Sequence, residues 1–385
     1  MTVASVLFCL WTPTTPFNHM TRGLSWRNFD FLLLGAVVLA SSLGTAMIRS
    51  AVAGNEILQP LITRQIYFAL LGGVVIFLVA SIDYRYWLAL YRPIYFGIMV
   101  FLVSLSSLGQ SAFGAQRWFQ VGVLFLQPTE FAKIVAIIVL ARYFENAQHQ
   151  KKDLRWALGA FLWAFGLIFW ILLQPNLSNV VVLTVILVAM LWINGLELKQ
   201  VLYLGLAGIV LVALAFPFLE PYQQARVITF IFPDPNATYG ATYNVTQALI
   251  AIGSGGLFGK GYGHGTQTQL RFLKVRHTDF IFSAASEEFG MIGGIVIILT
   301  LAFIVWRCIR AAQKARDISG SMLAFGVAIL IFFQGAVNIG VNLNVVPVSG
   351  LPLPFISYGG SGLTALMLGI GLVESVVMRQ SQTEF

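Results

Sequence analysis

Ten apolar runs, each long enough to cross a bilayer, constrain this chain more than any other feature of its sequence. They fall at about 29–48, 65–82, 94–108, 128–145, 154–173, 177–194, 201–219, 280–306, 321–343 and 359–378. About 20 apolar residues of helix cross a hydrocarbon core, and a helix satisfies its own backbone hydrogen bonds there. The runs therefore predict an all-α polytopic membrane protein. With 58% hydrophobic and 10% charged residues, the chain has too few polar side chains to clothe a soluble globule.

Basic residues set the orientation. With the N-terminus inside, fourteen Lys and Arg residues fall on the cytoplasmic side, among them Arg85, Arg142, Lys151, Lys152, Arg307 and Arg379. The short opposite loops hold only Arg49, Arg64 and Arg117. Both termini are predicted to be cytoplasmic. The net charge of +8 is then a topology signal, and no nucleic-acid partner is expected. Cys9 and Cys308 are not expected to form a disulfide. Residues 1–27 read as a flexible cytoplasmic extension, with Met20 as an alternative start. Residues 28–378 read as one transmembrane domain and 379–385 as a cytoplasmic tail.

One connection is long, at about 220–279 on the extracytoplasmic side between helices 7 and 8. Loops of that length are commonly functional. It carries Arg226, a short amphipathic helix expected at Tyr243–Ile252, and a run of glycines from Gly253 to Gly265 around Lys260. The glycines read either as a re-entrant turn or as a phosphate cradle. No Ser or Thr follows Lys260, which excludes a nucleotide P-loop.

The loop ends in His277-Thr278-Asp279, on the lip of the eighth run. Asp279 reads either as a helix N-cap or as a chemical group. His277 beside it and Glu287-Glu288 beyond it favour chemistry, because acids at membrane depth are costly. Glu287 and Glu288 lie roughly 12 Å deeper at 1.5 Å per residue, which suits a structural or gating role. A second outward loop holds Arg117-Trp118 and then Gln127-Pro128-Thr129-Glu130-Phe131-Ala132-Lys133. Glu130 and Lys133 share a helix face and read as a buried ion pair, and Arg117 as an interface anchor or a ligand for anions. The last outward loop, from Val346 to Gly362, includes Ser357 and Tyr358 and reads as a re-entrant cavity lining. All four segments are expected on one membrane face, around one outward-opening cavity.

These motifs, with Ala251-Ile252-Gly253-Ser254-Gly255-Gly256 and Pro352-Leu353-Pro354-Phe355-Ile356-Ser357-Tyr358-Gly359-Gly360-Ser361, resemble the SEDS family of shape, elongation, division and sporulation proteins. The likeness runs from about residue 28 to 378, and the Pro352–Ser361 and Glu287–Gly290 motifs resemble the RodA branch. It implies a ten-span glycosyltransferase of the bacterial cytoplasmic membrane. Such an enzyme polymerises lipid II into glycan strands at the outer face, in cell elongation and shape maintenance. It also implies a class B penicillin-binding protein as transpeptidase partner, with other elongation-complex membrane proteins. The family's essential aspartate maps onto Asp279, and its functional arginine, glutamate and lysine onto Arg117, Glu130 and Lys133.

The sequence departs from the family pattern at Asn176, where an aspartate is usual, and at Lys274-Val275-Arg276, which adds positive charge before the His-Thr-Asp motif. Thr129 replaces a serine, and Asn344-Val345-Val346 replaces Gly-Leu-Leu. Asp279 is expected to act as general base, with Arg117, Lys133, Arg226, Lys260 and His277 meeting the diphosphate or tuning the acid. No cofactor is required by the sequence; Mg²⁺ or Mn²⁺ is a candidate. A lipid flippase and a non-catalytic scaffold of the wall-synthesis complex are the competing classes.

Overall fold

The computed structural model describes residues 26–380 other than 109, 113–114, 122–123, 235–236 and 238, with side chains for all of these except 106–117, 120–124, 154 and 211–212. The first helix, α1 (Phe31–Val52), opens on Asp30, whose Oδ1 accepts from the Leu33 amide at 3.0 Å. That bond satisfies an amide the first turn leaves unpaired. Helix α2 (Pro60–Ser81) starts on a proline, which lacks one of those donors in any case. The chain continues through α3 (Tyr84–Ala89), α4 (Tyr91–Leu108), α5 (Pro128–Asn146), α6 (Leu154–Leu173), α7 (Leu177–Ile193) and α8 (Leu198–Ala215).

Residues 109–127, expected to be a loop, carry a small antiparallel sheet instead. Strands β1 (Gln110–Ala112), β2 (Ala115–Val121) and β3 (Leu124–Leu126) lie in that order, with Phe119 opposite Leu126 and Val121 opposite Leu124. Pairing gives partners to backbone groups that an irregular loop beside a membrane would leave unsatisfied.

The connection at 220–279 is likewise more ordered than expected. It holds α9 (Pro221–Ile231), α10 (Gly240–Gly255) and α11 (Thr266–Gln269). Helix α9 is closed at its start by a capping box between Glu220 and Gln223. Arg226 therefore sits on a helix, not in a loose loop. The amphipathic helix expected at Tyr243–Ile252 is longer at both ends.

Helices α12 (Ile281–Gln313), α13 (Ile318–Asn342) and α14 (Gly360–Val377) complete the chain. The eighth apolar run was expected as one continuous helix, but α12 is broken at Gly290 (φ 68°, ψ −164°). The break is where the glycine-rich stretch crosses it. A Cβ on Gly259 would lie 2.2 Å from the Glu288 carbonyl oxygen, and one on Gly290 would lie 2.4 Å from the Gly259 nitrogen. Backbone groups freed by the break find partners across the crossing: Lys260 N donates to Glu287 O at 3.0 Å, Gly261 N to Glu288 O at 2.9 Å and Met291 N to Gly256 O at 2.9 Å. These glycines serve close backbone packing. Two amides that a phosphate cradle would offer are already taken.

Among the described residues, seven helices are long and apolar enough to cross a membrane: α1, α2, α6, α8, α12, α13 and α14. The other three expected runs fall on α4, α5 and α7. Of these, α4 and α7 have shorter apolar stretches, and α5 carries Glu130, Lys133, Arg142 and Glu145. Helix α14 packs against α2 and is the most enclosed; α13 packs against α12 and α5, and α12 also against α1 and α10. Helix α8 is the exception, with its apolar side chains exposed along its length, as a lipid-facing helix would have them.

Candidate active site

The start of α12 is held by side chains from α13 and from the last loop. Phe280 occupies the N-cap position and offers no side-chain acceptor. The Ser283 amide is instead satisfied from α13, where Asn342 Oδ1 accepts from Ser283 N at 3.0 Å and from its hydroxyl at 2.5 Å. Two side-chain amides of α13 donate to the main-chain oxygen of Asp279, Asn342 at 2.9 Å and Asn338 at 3.1 Å. Asn338 also donates to Leu351 O at 2.8 Å. The orientation of the Asn342 amide follows from this network, since a flip would set its NH2 against the Ser283 N–H and its oxygen against a carbonyl.

The last loop closes on the same turn. Ser357 Oγ donates to Thr278 O at 2.7 Å, and Tyr358 N donates to His277 O at 2.9 Å. The His277 ring faces Tyr358 at 6.2 Å, and Tyr358 in turn meets Arg64. Burial and the neighbouring Arg276 push the imidazole below its ordinary value, so it is neutral at neutral pH. Among the described residues, no hydrogen bond joins the ring to Asp279.

Asp279 itself does not cap α12, so the structural alternative for this residue falls. Among the described residues, nothing hydrogen-bonds to its carboxylate. Burial pushes the group up to about 6, opposed by the positive charge of Arg226. Its side chain is half-buried, which places it at the rim of the fold rather than in its core. Arg226 is held by Ser349 O, to which its Nη1 donates at 3.2 Å, and lies over the Tyr222 ring at 5.8 Å. Helix α9 is anchored beside it, with Tyr222 OH and Gln223 Nε2 both donating to Pro175 O at 2.6 and 3.1 Å. The long connection, the last loop and the turn before α7 thus meet at one end of the bundle, and β3 packs against α14 nearby.

The other predicted site residues divide clearly. Glu130 and Lys133 form the expected buried pair, with Nζ 2.9 Å from each carboxylate oxygen and 3.2 Å from Asn179 Oδ1. Lys260 is not free for substrate; it pairs with Glu287 at 3.0 Å and donates to Thr266 Oγ1 at 2.7 Å. Glu287 is buried and also accepts from the Gln267 and Thr268 amides at 2.8 and 3.1 Å. It ties the glycine-rich stretch to α12, which is a structural role. Glu288 accepts from the Ser50 hydroxyl at the end of α1. Arg276 is buried and donates to Ala51 O, so the extra positive charge turns toward the end of α1 instead of toward Asp279. Arg117 lies on β2, and its side chain is outside the described residues.

Among the described residues, no three His, Cys, Asp or Glu side chains cluster to hold a metal ion. Among the described residues, Asp279 has an arginine beside it and no second acid. A separate cavity of about 480 Å³ opens at the opposite end of the bundle, but its one cation, Arg307, is committed to Asp30. Sequence reasoning missed Asn338, Asn342, Ser349 and Tyr222. The signal for the first two was present, as asparagines four apart in an otherwise apolar run.

Fold and site together define a multi-pass helical membrane protein with a carboxylate, that of Asp279, that accepts no hydrogen bond among the described residues at one end of its bundle. The chain belongs to the FtsW/RodA/SpoVE family, whose model, described as a cell cycle protein, matches residues 23–382. It is 35% identical over 323 residues to stage V sporulation protein E of Bacillus subtilis, covering 81% of this chain and 86% of that one. It is 34% identical over 345 residues to the peptidoglycan glycosyltransferase MrdB of Escherichia coli K12, covering 88% and 91%. Among solved structures it resembles a chain of a peptidoglycan synthase complex that coordinates polymerization and crosslinking, at TM-score 0.79 and 27% identity over 93% of this chain and all 100% of that one. It also resembles the rod shape determining protein RodA of Thermus thermophilus, at TM-score 0.70 and 28% identity over 93% and 99%.

Proposed function

We propose that this protein is a peptidoglycan glycosyltransferase that polymerises lipid II at the outer face of the bacterial cytoplasmic membrane, in cell elongation. Ten spans with both termini inside, the arrangement its basic residues favour, put Asp279 on the outer side. The observation that carries the reading is the unbonded carboxylate of Asp279, held by its own backbone beside Arg226. The likeness to proteins named as peptidoglycan glycosyltransferases supports it.

The reaction joins an acceptor sugar hydroxyl to the anomeric carbon of an α-linked lipid diphosphate. Asp279 takes the hydroxyl proton, the oxygen attacks from the opposite face, the bond to the diphosphate breaks, and a β-linkage results. Negative charge grows on the leaving diphosphate. Arg226 is the described cation nearest to the base, and a guanidinium matches phosphate through its planar donors. The apolar flank of α8 gives the isoprenoid tails a lipid-side approach. A class B penicillin-binding protein, crosslinking the strands as they emerge, is the partner this activity calls for. The likeness to a chain of a peptidoglycan synthase complex supports that.

The test is polymerisation of labelled lipid II by the purified full chain, alone and with its partner, comparing wild type with Asp279→Asn. Loss of polymer with a retained melting temperature is expected. Polymer at the wild-type rate from Asp279→Asn would remove the base, and transbilayer movement of lipid II without polymer would favour a flippase.

A further inference from the structure

Four aspartates in this chain precede helices, and each spends its carboxylate on the helix start. Asp30, Asp83, Asp153 and Asp317 accept from the amides of Leu33, Arg85, Trp156 and Gly320 at 3.0, 3.0, 3.0 and 2.8 Å. This is the ordinary fate of an aspartate at such a position. Asp279 stands one residue before the N-cap of α12 and does not share it. The N3 amide of that helix, Ser283 N, which the N-cap Phe280 has no side-chain acceptor to serve, is bonded to Asn342 Oδ1.

We infer that Asn342, assisted by Asn338, is a positioning residue that caps α12 from a neighbouring helix and pins the backbone of Asp279, so that its carboxylate is held in place for proton transfer. The inference rests on Asp279 being the base. A carboxylate that caps a helix accepts a backbone hydrogen bond, which stabilises its charged form and weakens it as a base. A neutral amide oxygen satisfies the same donor without that consequence. The other half of the Asn342 side chain donates to Asp279 O at 2.9 Å, and Asn338 donates to the same oxygen at 3.1 Å. One pair of side chains therefore caps the helix and pins the backbone beneath the carboxylate. Both residues are almost fully buried, so the clamp is made within the fold and not by solvent.

The experiment measures lipid II polymerisation by the purified full chain as kcat and KM, with a melting curve for each variant. Asn342→Ala should lower kcat about 100-fold, the scale of a small misplacement of a reacting group, with KM changed less than about twofold. Asn338→Ala removes one donor to Asp279 O and leaves the cap, so it should lower kcat about tenfold. If Asn342→Ala does not fold, Asn338→Ala carries the test alone. A kcat loss with unchanged KM and a folded protein supports the inference. Wild-type kcat in either folded variant, while Asp279→Asn is inactive, overturns the positioning role and leaves the base intact. A wild-type rate from Asp279→Asn overturns the base itself. A fall in melting temperature with kcat per folded molecule unchanged shows a structural clamp only, and also overturns the inference.

Discussion

The buried pair in α5 yields a prediction whose size follows from its geometry. Lys133 has three ammonium hydrogens, and the structure uses all three: one for each oxygen of Glu130 at 2.9 Å and one for Asn179 Oδ1 at 3.2 Å. Its side chain is 1% exposed and that of Glu130 is 6%, so water cannot replace either partner. Lys133→Met keeps the stem and deletes the charge, leaving a buried carboxylate alone. Breaking such a pair costs about 3–5 kcal/mol. At roughly 2–4 °C per kcal/mol, the melting temperature should fall on the order of 10 °C. Glu130→Gln should fall comparably, because an ammonium is then stranded.

The double variant Glu130→Gln/Lys133→Met removes both charges and should return close to wild-type stability. Exchanging the two charges should recover only part. A carboxylate at 133 would face Asn179 Oδ1, and turning that amide breaks its 3.3 Å bond to Thr129 Oγ1. The assay is size-exclusion chromatography after heating at one fixed rate, since membrane proteins often unfold irreversibly. Two single variants as stable as wild type but inactive in polymerisation would refute the reasoning and move the pair into the chemistry.

Further outcomes follow for Asp279, for the arginines and for Gly259. The carboxyl of Asp279 is raised from 3.8 to about 6, so polymerisation should climb with pH through about 6 as the base loses its proton. The same shift makes the folded state bind the proton more tightly than the unfolded one. Its contribution to stability is therefore full below about 3.8 and is lost as pH rises toward 6, an effect that melts at pH 5 and 8 should show and Asp279→Asn should abolish. Arg226→Lys keeps the charge but loses the fork and the stacking on Tyr222; KM for lipid II should rise about tenfold in steady-state kinetics, and Arg117→Lys gives the matching test on β2. Gly259→Ala forces a methyl into the Glu288 carbonyl at a φ of 80°, and should lower the melting temperature by the equivalent of about 1–3 kcal/mol. Unchanged stability with lost lipid II binding would return the glycines to the role of phosphate cradle.

The positions of the apolar helices and of Asp279 were legible because both depend on local properties, hydropathy and the strangeness of an acid at a membrane boundary. What was not legible depends on partners distant in sequence. The eighth run reads as a continuous helix because Gly290 is one glycine in an apolar stretch; its break needs Gly259, thirty-one positions earlier, to lie against it. The cap stays open as an alternative for Asp279 in the sequence because nothing near it announces that Asn342, on the next helix, serves the first turn of α12 at the Ser283 amide. Lys260 looks like an anion ligand until Glu287 is seen beside it. The sheet at 110–126 is built from strands of three, seven and three residues, too short for an alternating pattern to stand out.

Several buried acids in this fold are matched to a cation, and the Asp279 carboxylate differs from them in accepting no hydrogen bond among the described residues. Glu130 has Lys133, Glu287 has Lys260 and the amides of Gln267 and Thr268, and Asp30 has Arg307. Each pairing offsets the desolvation of a charge near hydrocarbon. Among the described residues, the Asp279 carboxylate has only the longer-range field of Arg226, although amides, a serine and a tyrosine surround its backbone. Those neighbours all bond main-chain oxygens of residues 277–279, so the turn is rigid while its carboxylate stays open. A group needed only for packing would gain by accepting one of those donors. Rigidity in the backbone combined with an unsatisfied side chain is what a proton acceptor requires: it must be placed within reach of a hydroxyl and must not already be bonded.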